Sequence, residues 1–235
     1  MLALLFNILI HSALASETAT KAAQKLERAI GACPSCKPAL TRTSGDHPLG
    51  AAEVEDVNGR KFEMSVMNDE FALKIFQEMT EQGKIPFGFP EDGCYARAHE
   101  MSYQLDKKKI YTGKVFATGN FRVDHDKTEK GAVTWQFHVA PVVIVDDGKA
   151  KRFWVIDPSL FYEPTTLASW LEALTAHPKS RLKEAFVTNR FIYVPRARGR
   201  KLDAFDRKDL DSTRAVMKKY LRTDQKRAKQ AADSL

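Results

Sequence analysis

The sequence predicts an α+β fold in which a helix that begins with a cysteine packs on an antiparallel β-sheet. The first observation is the segment 89–101, where Pro90 and Gly93 interrupt the chain and a helical pattern follows. The second is a pair of β-prone segments, 134–145 and 151–161, separated by a turn. The third is the composition, because 43% of the 235 residues are hydrophobic and can form a sizeable core.

The predicted helix carries Cys94 in its first turn. Asp92 stands where an N-cap is expected, and Tyr95, Ala98 and Met101 follow at helical spacing. The partial positive charge of a helix N-terminus favours a thiolate, which is the form that attacks a carbonyl carbon. Cys94 is therefore a candidate nucleophile, and the alternative is a buried structural thiol.

The two β-prone segments supply partners for such a nucleophile. The segment 134–145 contains His138, and the segment 151–161 contains Asp157, with Gly148 in the turn between them. Neighbouring antiparallel strands bring the two side chains close if the register allows it. A base that is oriented by a carboxylate can activate a thiol. The alternatives are a histidine satisfied within the core and an aspartate that only forms the turn before a proline.

Three short motifs resemble those of the secreted bacterial protein-glutaminases, which deamidate glutamine side chains in proteins. The motifs are residues 92–99, 135–140 and 156–161, and the resemblance extends over residues 66–162. Their order, with cysteine first, then histidine and aspartate, is also that of papain-like and transglutaminase-like enzymes. Together the motifs are more specific than any one of them alone.

The resemblance implies a papain/transglutaminase-like core and a hydrolase that works through a thioester. In that interpretation Cys94 is the nucleophile, His138 the base and acid, and Asp157 the residue that orients the histidine. Gly93 and Trp135 are weaker candidates for oxyanion or substrate contacts, and Trp135 is alternatively a core aromatic. The resemblance implies protein or peptide substrates that present glutamine, and no metal or cofactor. A transglutaminase, a papain-like peptidase and a secreted binding module with an inactive groove are the alternatives.

Other polar residues of the same region compete less well for these roles. His99 lies about 140° around the predicted helix from Cys94, so we expect it to pack or to bond the backbone rather than to act as the base. Arg97 is either a surface charge or the buried partner of a carboxylate. The remaining histidines that lie in polar or loop contexts carry no signal: His47, His125 and His177.

The N-terminus predicts export. An apolar run over residues 2–10 precedes an A-x-A pattern that ends at Ala15, so residues 1–15 are predicted to be a signal peptide cleaved after Ala15. The protein would then be periplasmic or secreted, without stable membrane insertion after cleavage. A buried or membrane-anchoring N-terminal helix is the alternative.

Export also bears on the cysteines. In an oxidising compartment Cys33 and Cys36 are predicted to form a disulfide, which leaves Cys94 as the free thiol. A redox motif and half of a zinc site, with His47 as the nearest further ligand, are the alternatives for this pair.

The chain is predicted to have four parts. After the signal peptide, residues 16–61 form an N-terminal extension or pro-segment, residues 62–200 the catalytic domain, and residues 201–235 a charged helical tail that frays from Asp224 onward. The net charge of +7 favours acidic partners, but the basic residues are not interleaved with aromatic ones, so nucleic-acid binding is not predicted. The oligomeric state is not predicted.

The other predicted elements follow from periodicity and turn signals. They are a helix over 17–30, a hairpin at Asn58-Gly59, a helix over 68–82 with Leu73 on its buried side, a strand over 110–123 with possible bulges at Gly113 and Gly119, a helix over 167–175 capped by threonine, and a strand over 186–194.

Overall fold

The computed structural model describes residues 2–33, 47–126, 128 and 130–233. Within them the chain forms five α-helices and seven β-strands. In chain order these are α1 (Leu2–Glu27), β1 (Gly50–Glu55), β2 (Lys61–Met67), α2 (Asp69–Glu81), α3 (Cys94–Lys107), β3 (Gly113–Asp124), β4 (Ala132–Asp146), β5 (Lys151–Val155), β6 (Thr165–Thr166), α4 (Leu167–Thr175), β7 (Arg181–Asn189) and α5 (Arg207–Asp233).

All seven strands belong to one sheet, which confirms the α+β class. The strand order is β1-β2-β4-β3-β7, with β5 added to β4 and β6 added to β5. Neighbouring strands are antiparallel except β2 and β4, which run parallel where Val66 faces Ile144. The sheet is therefore mixed, with a parallel pair at β2 and β4. Parallel strands need a long connection, and these two are separated in the chain by two helices and a strand.

The predicted hairpin between the histidine and aspartate segments is present. Strands β4 and β5 are antiparallel, and Val142 faces Val155. Continuing this register places Asp157 opposite Ala140, on the strand that carries His138 two residues earlier. Diagonal neighbours at this spacing are within reach of long side chains. The sequence did not determine the register of this hairpin, and the observed register brings His138 and Asp157 together.

The two faces of the sheet are covered by different helices. Along β4, Ala140, Val142 and Ile144 pack in one cluster with α1 and α4, whereas Val143 and Val145 pack with α2 and α3. This alternation follows from the period of two residues in a strand. The two helical layers meet the sheet on opposite sides, and the strand that carries His138 lies between them.

Two local predictions need correction. Leu73 lies on the outer face of α2 and is exposed, although the other predicted apolar residues of this helix are buried. The strand predicted over 186–194 is β7 and ends at Asn189, since its pairing with β3 stops there. The β-prone residues Phe191, Ile192 and Tyr193 follow the strand and are buried without extending it.

Other local predictions are confirmed. Asn68 caps α2 by accepting a hydrogen bond from the backbone N–H of Phe71 at 2.9 Å, and Thr166 caps α4. The Asn58-Gly59 turn joins β1 to β2. The register between β3 and β7 shifts between Thr118 and Gly119, which is the bulge predicted there. Gly113 pairs regularly with Val142 and Asn189 and forms no bulge.

The terminal helices pack on the body of the protein. Ala19 and Ala23 of α1 are buried in the cluster that contains α4, and helix α5 contacts α3. The last turns of α5 were predicted to fray from Asp224, but the helix continues to Asp233 and Asp224 accepts a hydrogen bond from the backbone N–H of Gly88. Within the described ranges, no helix combines the length and the apolar character that crossing a bilayer requires.

Candidate active site

The helix that carries Cys94, α3, begins at a glycine in a left-handed conformation. Gly93 is the N-cap of α3 with φ of 83°, and no side chain caps the helix. The prediction that Asp92 is the N-cap is therefore wrong. Its Oδ1 instead accepts a hydrogen bond from the backbone N–H of Gly93 at 2.6 Å. Because the first N–H groups of a helix have no acceptor within it, those of Cys94 and Tyr95 are free of helical hydrogen bonds.

Cys94 is a buried free thiol at this helix start. It is 5% exposed and packs against Ala98, Val139 and Phe186. Val139 belongs to β4 and directly follows His138 in the chain. The helix start therefore lies against the strand that carries the histidine.

The structure brings His138 and Asp157 together as predicted. His138 Nε2 lies 2.8 Å from Asp157 Oδ2, and both side chains are almost fully buried. Two further groups donate to the same carboxylate: Trp170 Nε1 to Oδ2 at 2.9 Å and Ser159 Oγ to Oδ1 at 2.5 Å. A carboxylate with three donors is held in one orientation and stabilised in its charged form.

The electrostatics of this pair favour its charged state. Burial alone would lower the pKa of His138, but the carboxylate of Asp157 and the interaction with Cys94 outweigh it and raise the pKa to about 9. Burial alone would raise the pKa of Asp157, but His138, Ser159 and Trp170 lower it to about 2. At neutral pH the pair is therefore an imidazolium and a carboxylate.

The second ring nitrogen of His138, Nδ1, is not engaged by Asp157. Among the described residues, Nδ1 is buried and has no hydrogen-bond partner of ordinary geometry. Since Nε2 is engaged by Asp157, Nδ1 is the ring nitrogen that remains for Cys94, whose interaction with His138 raises the pKa of the imidazole. The thiol and the imidazole are thus neighbours in the site.

Two tryptophans enclose the imidazole. The rings of Trp135 and His138 are stacked with centroids 4.4 Å apart, and the ring of Trp170 lies 5.7 Å away at an interplanar angle of 28°. Trp135 also donates from Nε1 to the backbone oxygens of Pro90 and Glu91, at 3.2 Å each. It therefore connects the strand of His138 to the loop that precedes Cys94. Trp170 carries no signal of its own in the sequence beyond an apolar helix pattern.

Arg97 is buried inside the protein, so it is not a surface charge. Its Nη1 donates to the backbone oxygens of Phe89 and Asp92, at 2.8 Å each, rather than to a carboxylate. Burial lowers the pKa of this guanidinium. Arg97 thus holds the loop before Cys94 from the side of the core, as Trp135 does.

His99 is fully buried, and its ring contacts Tyr193 and Phe205. Lys114 Nζ is 2.6 Å from His99 Nδ1 and also donates to the backbone oxygen of Ile192. Burial, together with the charge of Lys114, lowers the pKa of His99 to about 2, so its imidazole is neutral at neutral pH. The helical geometry excluded His99 as the base, and this placement agrees, although its partner is a side chain and not the backbone.

The remaining candidates lie outside the site or outside the described residues. His125 Nε2 lies 2.7 Å from the backbone oxygen of Ser159, a contact that the sequence did not indicate. His177 is half-buried and His47 is exposed. Cys36 lies outside the described residues, so its disulfide with Cys33 stays a prediction.

The comparisons with known proteins agree with this geometry. A sequence profile of the glutaminase family, Gln_deamidase_2, matches residues 72–174. The solution structure of protein-glutaminase from Chryseobacterium proteolyticum has 26% sequence identity and a TM-score of 0.55, over 66% of this chain and 88% of that one. A crystal structure of protein-glutaminase has 27% identity and a TM-score of 0.54, over 67% and 90%.

A crystal structure of pro-protein-glutaminase is similar as well. It has 28% identity and a TM-score of 0.56, and the match covers 67% of this chain and 59% of that one. The match to a mutant of pro-protein-glutaminase covers 57% of that chain. No curated protein sequence matches the chain.

Fold and site together define a papain-like α+β protein in which a cysteine at a helix start lies beside a histidine on β4 and an aspartate two residues after the end of β5. The profile match over residues 72–174 and the solved structures make the chain similar to the protein-glutaminases, which are enzymes.

Proposed function

We propose that the protein is an amidohydrolase that converts glutamine side chains of proteins or peptides to glutamate and releases ammonia. The observation that carries the proposal is the hydrogen bond of His138 Nε2 to Asp157, which leaves Nδ1 toward Cys94 at the start of α3. A thiol, an oriented imidazole and a carboxylate in this order support nucleophilic catalysis.

In the first half-reaction the reacting form of the pair is the Cys94 thiolate beside the His138 imidazolium. Cys94 Sγ attacks the carboxamide carbon, and the developing oxyanion is stabilised by the backbone N–H of Cys94 at the helix N-terminus. When the tetrahedral intermediate collapses, the C–N bond breaks and His138 gives its proton to the leaving nitrogen. The products are ammonia, a thioester on Cys94 and a neutral imidazole.

In the second half-reaction the neutral imidazole takes a proton from water as the oxygen attacks the thioester carbon. The C–S bond breaks, the thiolate returns, and the imidazolium is restored beside Asp157. The side chain leaves as glutamate. Throughout, Asp157 holds the ring in one tautomer and stabilises its positive charge. Gly93 and Trp135 support the site through the loop before Cys94, and no step uses a metal or cofactor.

Two related activities would also begin with the attack of Cys94 and formation of a thioester. A transglutaminase would use a lysine amine in place of water as the acyl acceptor, and a papain-like peptidase would attack the backbone amide. The similarity to solved protein-glutaminases favours glutamine side chains and water. A binding module with an inactive groove is disfavoured because the imidazole is oriented and charged beside a free thiol.

We also propose export of the protein with cleavage after Ala15, followed by a mature chain that keeps residues 16–61 as an integral extension. The apolar run and A-x-A pattern support the cleavage site. The burial of Ala19 and Ala23 and the pairing of β1 with β2 support retention of the extension. Residues 62–200 with α5 would then carry the catalytic site.

The test is ammonia release from a denatured glutamine-rich protein, with the intact mass of the substrate recorded. We expect ammonia together with the small mass gain of amide-to-acid conversion, and loss of both in Cys94→Ala. Cross-linked product would indicate a transglutaminase, and shortened chains a peptidase. Equal ammonia release by Cys94→Ala, or none by the wild type, would contradict the proposal.

A further inference from the structure

The C-terminal helix α5 covers the loop that leads into the nucleophile. We call residues 88–93 the nucleophile loop. Tyr220 of α5 donates from its hydroxyl to Oδ2 of Asp92 at 2.5 Å. Its ring stacks on Phe89 with centroids 4.4 Å apart and an interplanar angle of 17°. One side chain of α5 thus contacts the loop near both of its ends.

A second group of α5 contacts lies one to two turns further along the helix. Arg227 donates from both terminal nitrogens to the carboxylate of Glu91, at 2.7 and 3.1 Å, and its guanidinium lies over the ring of Phe89. Asp224 accepts from the backbone N–H of Gly88 at 3.2 Å. A bidentate arginine–carboxylate pair fixes orientation as well as distance.

Asp92 transmits the position of Tyr220 to the start of the nucleophile helix. One carboxylate oxygen accepts from Tyr220, and the other accepts from the backbone N–H of Gly93 at 2.6 Å. The ring of Tyr220 also lies so near Gly93 that a β-carbon there would be 2.9 Å from Tyr220 Cδ2. Gly93 directly precedes Cys94, so the helix start cannot shift toward α5 without meeting this ring.

The core holds the opposite side of the same loop. Arg97 donates to the backbone oxygens of Phe89 and Asp92, and Trp135 donates to those of Pro90 and Glu91. The loop is therefore fixed between the core and α5. The family profile ends at residue 174, so α5 lies outside the part of the chain that it matches.

We propose that α5 is a positioning element of the active site, in which Tyr220 and Arg227 hold the nucleophile loop so that Cys94 stays beside Nδ1 of His138. Tyr220 is a positioning residue that acts through Asp92 and Gly93 and touches no substrate. This inference rests on the proposed roles of Cys94 and His138. It gives the charged C-terminal segment a function in catalysis.

The central test is Tyr220→Phe, which removes the hydroxyl and keeps the stacked ring. We expect kcat for deamidation to fall about tenfold with KM within about twofold, because a small displacement of a nucleophile is costly in rate. We also expect alkylation of Cys94 by iodoacetamide, followed across pH, to slow by a similar factor. A residue that only supports folding would leave the alkylation rate of the folded protein unchanged.

Arg227→Gln tests the second group of contacts without touching Tyr220, and we expect a loss of kcat in the same direction. Lys218→Gln is its matched control, since it removes the same charge from an exposed position of the same helix. Tyr103→Phe is the control for the lost hydroxyl, because its ring packs on Phe205 away from the loop. Both controls should retain wild-type kcat and alkylation.

A double-mutant cycle tests the route through Asp92. If Tyr220 acts through this carboxylate, Tyr220→Phe and Asp92→Asn combined should cost far less in kcat than the product of the two single effects. If the effects of the two single substitutions on kcat multiply, Tyr220 and Asp92 act independently, and the route through Asp92 is excluded. Wild-type kcat and alkylation in both Tyr220→Phe and Arg227→Gln would overturn the proposal, whether or not the melting temperature falls.

The two readouts separate this inference from the proposed function. If the wild-type protein releases no ammonia but Tyr220→Phe still slows alkylation of Cys94, the function fails and the positioning role stands. If ammonia release depends on Cys94 but is unaffected by changes in α5, the function stands and the positioning role is excluded.

Discussion

The indole nitrogen of Trp170 donates to Oδ2 of Asp157, the same oxygen that accepts from His138. The two donors lie 2.9 and 2.8 Å from this oxygen, and Ser159 occupies the other one. A carboxylate surrounded in this way remains ionised in a buried site, which it must do in order to stabilise an imidazolium. Trp170 therefore supports the site through Asp157 and also limits the space beside the imidazole ring.

We predict that Trp170→Phe lowers kcat about tenfold with little change in KM. The substitution keeps most of the apolar packing but removes the N–H donor, so Asp157 loses one of the groups that fix its orientation. Steady-state kinetics and thermal unfolding would measure the effect. Trp154→Phe is the matched control, because Trp154 lies on β5 and packs in the cluster on the opposite side of the sheet. An equal loss in both variants would contradict this role of Trp170.

The charged state of His138 predicts an alkaline limit to activity. Its pKa is raised to about 9, and in the proposed mechanism the imidazolium is the acid that protonates the leaving nitrogen. We expect kcat/KM to fall as the pH rises through about 9. In Asp157→Asn the charge that raises the pKa is gone and burial, which lowers it, remains, so the limit should move by about 1 pH unit or more to lower pH. An unchanged alkaline limb in this variant would exclude His138 as the titrating group.

Gly93→Ala is predicted to reduce both stability and activity. The residue has φ of 83°, and a β-carbon there would lie 2.9 Å from Cδ2 of Tyr220. The backbone conformation alone costs about 1–2 kcal/mol for an alanine, and the contact with the ring adds to that. Gly83→Ala is the control, since φ is 60° there and nothing lies within 4 Å of the added carbon.

Chemical denaturation of both glycine variants would separate the cost of the left-handed backbone conformation from the cost of the contact with the Tyr220 ring. We expect a larger loss of unfolding free energy for Gly93→Ala than for Gly83→Ala, together with reduced kcat only in the former. If both variants lose the same unfolding free energy and have the same kcat, the Tyr220 ring moves aside without cost. The helix start would then not be fixed by α5.

The local part of the site could be predicted from the sequence because it depends on short patterns. The helix start at Cys94 follows from the turn residues before it and the helical periodicity after it. The β-hairpin that carries His138 and Asp157 follows from a turn and two β-prone segments that together span about thirty residues. The exclusion of His99 also follows from helical geometry alone. The three proposed catalytic residues were predicted from the order of the three motifs, and the observed hairpin register brings His138 and Asp157 together.

The long-range part of the site left no pattern in the sequence. Tyr220 and Asp92 are 128 residues apart, and α5 has mostly charged residues with few apolar ones, so it was interpreted as a tail. Asp92 was predicted as a cap because its residue type and position fit, but Gly93 adopts a left-handed conformation and takes that place. Contacts of this kind depend on how separate elements pack, which periodicity does not describe.

The burial of α1 against the sheet and α4 predicts which part of the N-terminal region is required. Ala19 and Ala23 are 1% exposed, and the chain after the helix pairs with β1, where Gly31 donates to the backbone oxygen of Glu53 at 2.9 Å. We expect a chain that begins at Ser16 to remain folded and active. A chain that begins at Ala32 should lose cooperative unfolding, because it exposes the apolar surface that α1 covers.

Ala23→Asp tests the same contact within the full chain. A carboxylate placed at this buried position costs several kcal/mol unless it protonates or the helix detaches, so we expect a large fall in melting temperature, on the order of 10 °C. Gln24→Asp introduces the same group at the neighbouring exposed position and should have little effect. If Ala23→Asp and the chain from Ala32 both unfold like the wild type, residues 16–31 are dispensable, and the segment would behave as a removable pro-segment instead of an integral part of the fold.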